Sequence, residues 1–149
     1  MTGQALTRSE LKAACLALLD ATAIEHPAGH QGRLAARYLL RTDANERVGL
    51  MFEKGDKTQA HLWVESRFVR DFTGHGIESR VYLASALYQP AGDGQKAAYG
   101  RHAALQSMRD LAHADLVRFT ISEPQQLQQV LEHLAGFDAT SKPSAFSRA

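Results

Sequence analysis

A single cysteine, Cys15, stands in a chain of 149 residues, so no internal disulfide framework and no cysteine-rich zinc or iron–sulfur centre can be assembled from it. The sequence also lacks any apolar run of the roughly 18 residues that a membrane-crossing helix requires. Its opening, MTGQALTRSE, has no basic segment followed by a long apolar one, and we expect a cytoplasmic location. Charge of one sign is missing too. Lys and Arg number 17 against 16 Asp and Glu, a net +1, which removes a global pull toward nucleic acid or anionic lipid and confines any such reading to local clusters. What is present is ordinary for a folded domain: 44% hydrophobic and 22% charged residues argue against global disorder. The length suits one domain able to bury a core without staples. We expect an α+β domain over residues 1–136 and a flexible tail over 137–149, with no cofactor and no metal.

The clearest signal is the run Arg47 to Val69. Val48, Leu50 and Phe52 alternate with polar or small neighbours, KGDKTQ supplies a turn, and Ala60, Leu62 and Val64 then alternate with His61, Trp63, Glu65 and Arg67. Upstream, Thr7-Arg8-Ser9-Glu10 forms a capping box that starts a helix at Arg8. Its apolar stripe is Leu11, Ala14, Cys15, Leu18 and Leu19, and it ends before Pro27. Cys15 lies on that stripe, as a buried and inert thiol would. RLAARYLLRT reads as a strand with Arg33, Arg37 and Arg41 on one face, or as a helix in which the same arginines again share a side. The strand reading, ending near Thr42, makes residues 34–69 a three-stranded antiparallel meander.

Further along, a strand is expected at 79–84 and a long loop at 88–100. A helix is expected over RHAALQSMRDLAHA, a strand at 115–121, and a last helix capped by Ser122 with Gln125 at the capping-box position. That last helix stops at Gly136. Together these give a mainly antiparallel sheet of about four to five strands with an N-terminal helix and two C-terminal helices.

Motifs that would name a chemistry are few. GDGQK resembles a phosphate loop, but Gln95 precedes Lys96 and Ala97 follows it where glycine and a hydroxyl are required. His26 and His30 have the spacing of a metal pair only on a helix, which Pro27 and Gly29 disfavour. No G-x-S-x-G elbow is present. The richest row is His61, Trp63, Glu65 and Arg67, which reads either as the lid of a core or as a binding surface. In the second case Arg67, Arg80 and Arg118 serve as anion contacts if their strands are neighbours. Arg37 and the loop residues Lys96, Arg101 and His102 complete the ligand-binding candidates, since free amides at a helix start favour an anion.

The last third of the chain, a glycine-bearing loop with a basic residue, a strand and a terminal amphipathic helix, resembles in arrangement the small accessory domains found beside bacterial restriction and DNA-modification systems. It matches no diagnostic motif of theirs, and the resemblance implies a nucleic-acid partner. The expected function is a non-catalytic binding or accessory module contacting nucleic acid or another anionic ligand. Two alternatives stand beside it: a small hydrolase or nuclease using histidine and glutamate as acid and base, and a protein-interaction subunit or homodimer.

Overall fold

The computed structural model describes residues 6–27, 29, 34–55, 58–70, 72, 76–86, 88–89, 98–99, 101, 105 and 108–136. The first helix, α1 (Arg8–Thr22), begins where the capping box places it. Thr7 Oγ1 accepts from the Glu10 amide at 3.0 Å, and Glu10 Oε1 accepts from the Thr7 amide at 2.9 Å. Strands β1 (Ile24–Glu25), β2 (Ala35–Arg41), β3 (Arg47–Glu53) and β4 (His61–Glu65) follow, then β5 (Glu78–Tyr82), β6 (Tyr88–Gln89), β7 (Ala98–Tyr99) and β8 (Leu116–Thr120). The second helix, α2 (Pro124–Ala135), comes last.

The class is α+β, with an antiparallel six-stranded sheet in the order β1-β2-β3-β4-β8-β5 and a separate antiparallel pair, β6 with β7. The meander of β2, β3 and β4 is present, and residues 35–41 take the strand alternative. Asn45 holds the positive φ, 68°, that lets the chain reverse between β2 and β3. That reversal is tied to the far helix, because the Asp43 amide donates to the Ala135 carbonyl at 2.6 Å.

Three expectations need correction. Among the described residues the main sheet has six strands rather than four or five, because β1 is two residues long and leaves no periodicity to read. The described residues contain two α-helices rather than three. Where a helix was expected at 101–114, residues 108–114 form successive turns, with amides of Met108, Leu111 and Ala114 donating to the carbonyls of Leu105, Met108 and Leu111. The buried positions Leu105, Met108 and Leu111 recur every third residue, the period of i→i+3 turns. The third correction is the start of α2. Glu123 occupies the cap position without a side-chain bond, while the Ser122 amide and hydroxyl both donate to Gln126 Oε1, at 2.7 and 3.0 Å. Pro124 at the first helical position needs no amide partner and sets the start one residue later. The loop expected at 88–100 contains the paired residues of β6 and β7; residues 90–97 and 100, like the tail at 137–149, lie outside the described residues.

The two sheet faces have different cores. On the first, α1 contributes Leu11, Cys15 and Leu19, and α2 contributes Leu127, Val130, Leu131 and Leu134, against Leu50, Phe52, Leu62, Val64 and Phe119. Burial of each such leucine is worth about 1.5–3 kcal/mol. Lys12 on the same helix is buried, and its ammonium donates to the carbonyls of Gly55 and of Thr58, the latter at 2.7 Å, fastening α1 to the β3–β4 connection. Burial pushes the Cys15 thiol up to about 11, which keeps it protonated and unreactive at neutral pH. The second face is covered in part by Leu105 and the 108–114 turns, where Leu105, Met108 and Leu111 meet Ala35, Met51, Trp63 and Leu116 of the sheet. Among the described residues no helix is long and apolar enough to cross a membrane.

Candidate functional site

The second face collects most of the polar candidates, because strand alternation sends every other residue there and the register then lines them up. Arg37 pairs with Met51, Met51 with Trp63, Trp63 with Arg118, and Arg118 with Arg80, giving one row across β2, β3, β4, β8 and β5. The neighbouring row runs from Ala35 and Glu53 through His61 and Thr120 to Glu78.

Glu53 is the hub of this second row. It is 4% exposed, and its carboxylate accepts from Trp63 Nε1 at 2.5 Å and lies 3.2 Å from His61 Nδ1. A buried carboxylate needs such donors, since desolvation without them costs several kcal/mol. The contact also presents the other imidazole nitrogen, Nε2, away from Glu53. Trp63 is itself 2% exposed, so its ring is enclosed. It packs on Tyr82 with ring centroids 4.7 Å apart and an interplanar angle of 47°.

Tyr82 gathers the cations. The Arg80 guanidinium lies 4.8 Å from the Tyr82 centroid and that of Arg118 lies 5.4 Å from it, with Arg118 also 5.8 Å from Trp63. Such contacts orient a guanidinium without neutralising it. Arg80 and Arg118 are direct cross-strand partners. Like charges placed so cost stability. Among the described residues neither makes an ion pair, and the Arg118 Nε is buried without a hydrogen-bond partner.

The remaining sequence candidates divide clearly. Arg37 is buried and donates to the Gly29 carbonyl at 2.8 Å, holding the approach to β2. Arg101 is buried and donates to three carbonyls, those of Leu111 and Ala112 at 3.2 Å and that of Tyr82 at 3.0 Å, so it braces the cover of the second face against β5. Glu65 and Arg67 bond each other at 3.1 Å, with Arg67 stacked on Phe68 at 4.1 Å and 3.9 Å from Glu46. Arg67 follows β4 in a short 3₁₀ turn and is not in the row with Arg80 and Arg118. Lys96 and His102 lie outside the described residues. Among the described residues no group of three or more His, Cys, Asp or Glu could hold a metal, and His26 meets Asp110 at 3.2 Å.

Sequence reading passed over two participants, Glu53 as the acceptor shared by His61 and Trp63, and Tyr82 as the ring shared by two arginines. The first was accessible in principle, because the β3–β4 turn length fixes a register that sets Glu53 beside His61. The second was not, since it depends on β5 and β8 meeting across the chain. No protein-family model matches this chain, and no curated protein and no solved structure matches it either.

Proposed function

We propose that this protein is a non-catalytic binding module for an anionic ligand, with single-stranded nucleic acid the leading class, contacted through Arg80, Arg118 and the Tyr82 ring. One observation carries the reading: two arginines are direct cross-strand partners with both guanidiniums beside the Tyr82 ring, one with its Nε buried and unmatched among the described residues. A phosphate between them accepts from both forks and removes their repulsion. Tyr82 supplies an aromatic surface beside the phosphate contact, and a base stacks on such a surface without sequence preference. Trp63 and Glu53 act behind it by fixing the ring and the strand.

The test is fluorescence anisotropy with labelled single- and double-stranded DNA and RNA across a salt series, with mass measured by light scattering on the same sample. Expected is salt-sensitive binding in the micromolar range or tighter, with Arg80→Gln and Arg118→Gln each lowering the salt slope by about 0.7–0.9. Binding that ignores the double substitution, or no binding by any of the probes, refutes it. A clean dimer mass without binding would instead favour the interaction-subunit reading, for which the exposed Val81 and Leu83, 58% and 50% exposed, are the supporting surface.

A second reading rests on the Glu53–His61 contact. A carboxylate that holds one imidazole nitrogen leaves the other to accept a proton, which is the arrangement of a general base in a hydrolase or nuclease. It predicts turnover of a phosphodiester or ester probe that disappears in His61→Gln; a salt-dependent binder with no turnover removes it.

A further inference from the structure

Where β1 joins the far end of the β2–β3 hairpin, a cavity of about 500 Å³ opens at the sheet edge between the end of α1, β1 and that hairpin. Such a volume falls within the range of about 300–1,000 Å³ typical of small-molecule sites. One side is apolar, built from Ala23, Ile24, Pro27 and Leu39. Ile24 is 67% exposed although it pairs directly with Leu39, so an apolar strip lies open to solvent. The other side carries Arg41 and Arg47, which are direct cross-strand partners at the end of the hairpin and both exposed. Among the described residues neither arginine makes an ion pair. Glu25 borders the cavity as well, but it pairs with Tyr38 and so belongs to the opposite face, where its charge acts on the Tyr38 hydroxyl.

We infer that this cavity binds a small oxyanion carried on an apolar body, an aliphatic carboxylate or phosphate monoester, with the headgroup between Arg41 and Arg47 and the chain along Ala23, Ile24, Pro27 and Leu39. Two guanidinium forks on neighbouring positions of one cavity wall suit an oxyanion. Directly opposed like charges cost stability when empty and gain when an anion joins them. The apolar strip adds burial that inorganic phosphate cannot supply. The site shares no residue with the Arg80–Arg118 cluster and stands or falls separately from it.

The experiment titrates the full-length, isotope-labelled chain with octanoate, octyl phosphate, 1-octanol and inorganic phosphate, following amide shifts. Octanoate or octyl phosphate should give saturable shifts at residues 23–25, 39–41 and 47, and whichever binds more tightly identifies the headgroup. Their affinity should exceed that of 1-octanol and of inorganic phosphate by about tenfold or more, and Arg41→Gln with Arg47→Gln should erase that advantage. Both arginines are exposed, so the double variant keeps the fold, which its unchanged amide spectrum elsewhere verifies. Equal affinity for 1-octanol, an undiminished affinity in the double variant, or no saturable shift with either amphiphile at millimolar concentration overturns the inference.

Discussion

Gly49→Ala tests how the second face is covered, because the sign of its effect depends on one carboxylate distant in sequence. Gly49 sits within β3 and is not among the positive-φ residues, so alanine meets no backbone objection there. A methyl group at this position, however, would overlap Asp110 Oδ2 and lie 2.9 Å from Asp110 Cγ. Asp110 must swing away, and its contact with His26 Nε2 at 3.2 Å is then lost. That contact is partly exposed and worth about 0.2–1 kcal/mol, while forcing a methyl into an occupied space costs about 1–3 kcal/mol. Against this, replacing glycine lowers the entropy of the unfolded chain and contributes about 0.4–1 kcal/mol. The net expectation for Gly49→Ala is a loss of about 1–3 kcal/mol. In an Asp110→Ala background the obstacle is gone, and the same substitution should stabilise by about 0.4–1 kcal/mol. Urea and thermal unfolding of the four proteins in this cycle measure the coupling, each kcal/mol moving the midpoint by roughly 2–4 °C for a chain of this size. If Gly49→Ala destabilises equally in both backgrounds, Asp110 does not lie over Gly49 and the account of the cover is wrong.

The remaining predictions concern the buried groups and the helix start. Cys15 has its folded pKa raised from 9.0 to about 11, so the folded state holds a proton that the unfolded state releases first. Its contribution is fully present below pH 9 and lost as pH rises toward 11; at most about 2–3 kcal/mol is involved. Cys15→Ala should flatten the alkaline limb of a stability–pH curve, and an unchanged limb would reassign it. Glu53→Ala strands the Trp63 indole N–H at a cost of about 1–3 kcal/mol, and adding Trp63→Phe should return much of it, as chemical denaturation would show; no recovery would mean the indole is not held by Glu53. Thr7→Ala removes the hydroxyl half of the capping box and should cost about 0.5–2 kcal/mol, with amide exchange rising first at the start of α1. A loss confined to other parts of the chain would contradict that placement.

Legibility followed the range of the interaction. The α1 cap could be read because both of its bonds close within three residues, and the meander because β2, β3 and β4 are consecutive and alternate with period 2. The division of His61, Trp63 and Glu65 from Leu62 and Val64 was readable for the same reason. The 101–114 segment misled because leucine and methionine at every third residue satisfy a helical stripe nearly as well as a chain of turns. Arg37 and Arg101 looked like ligand contacts because sequence shows a charge without showing the carbonyls that surround it.

By itself, then, the sequence determined the class, the sidedness of the strands and the start of the first helix, all of which are set by local hydrogen bonds and the fixed periods of helix and strand. Only the tertiary structure decided that β8 inserts between β4 and β5, which brings Arg118 beside both Trp63 and Arg80. It likewise decided that Glu53 is buried beside His61 and Trp63 and that Arg41 and Arg47 stand side by side on the wall of an open cavity. These are properties of register and long-range pairing, where the burial of a whole sheet face outweighs the cost of setting two arginines side by side.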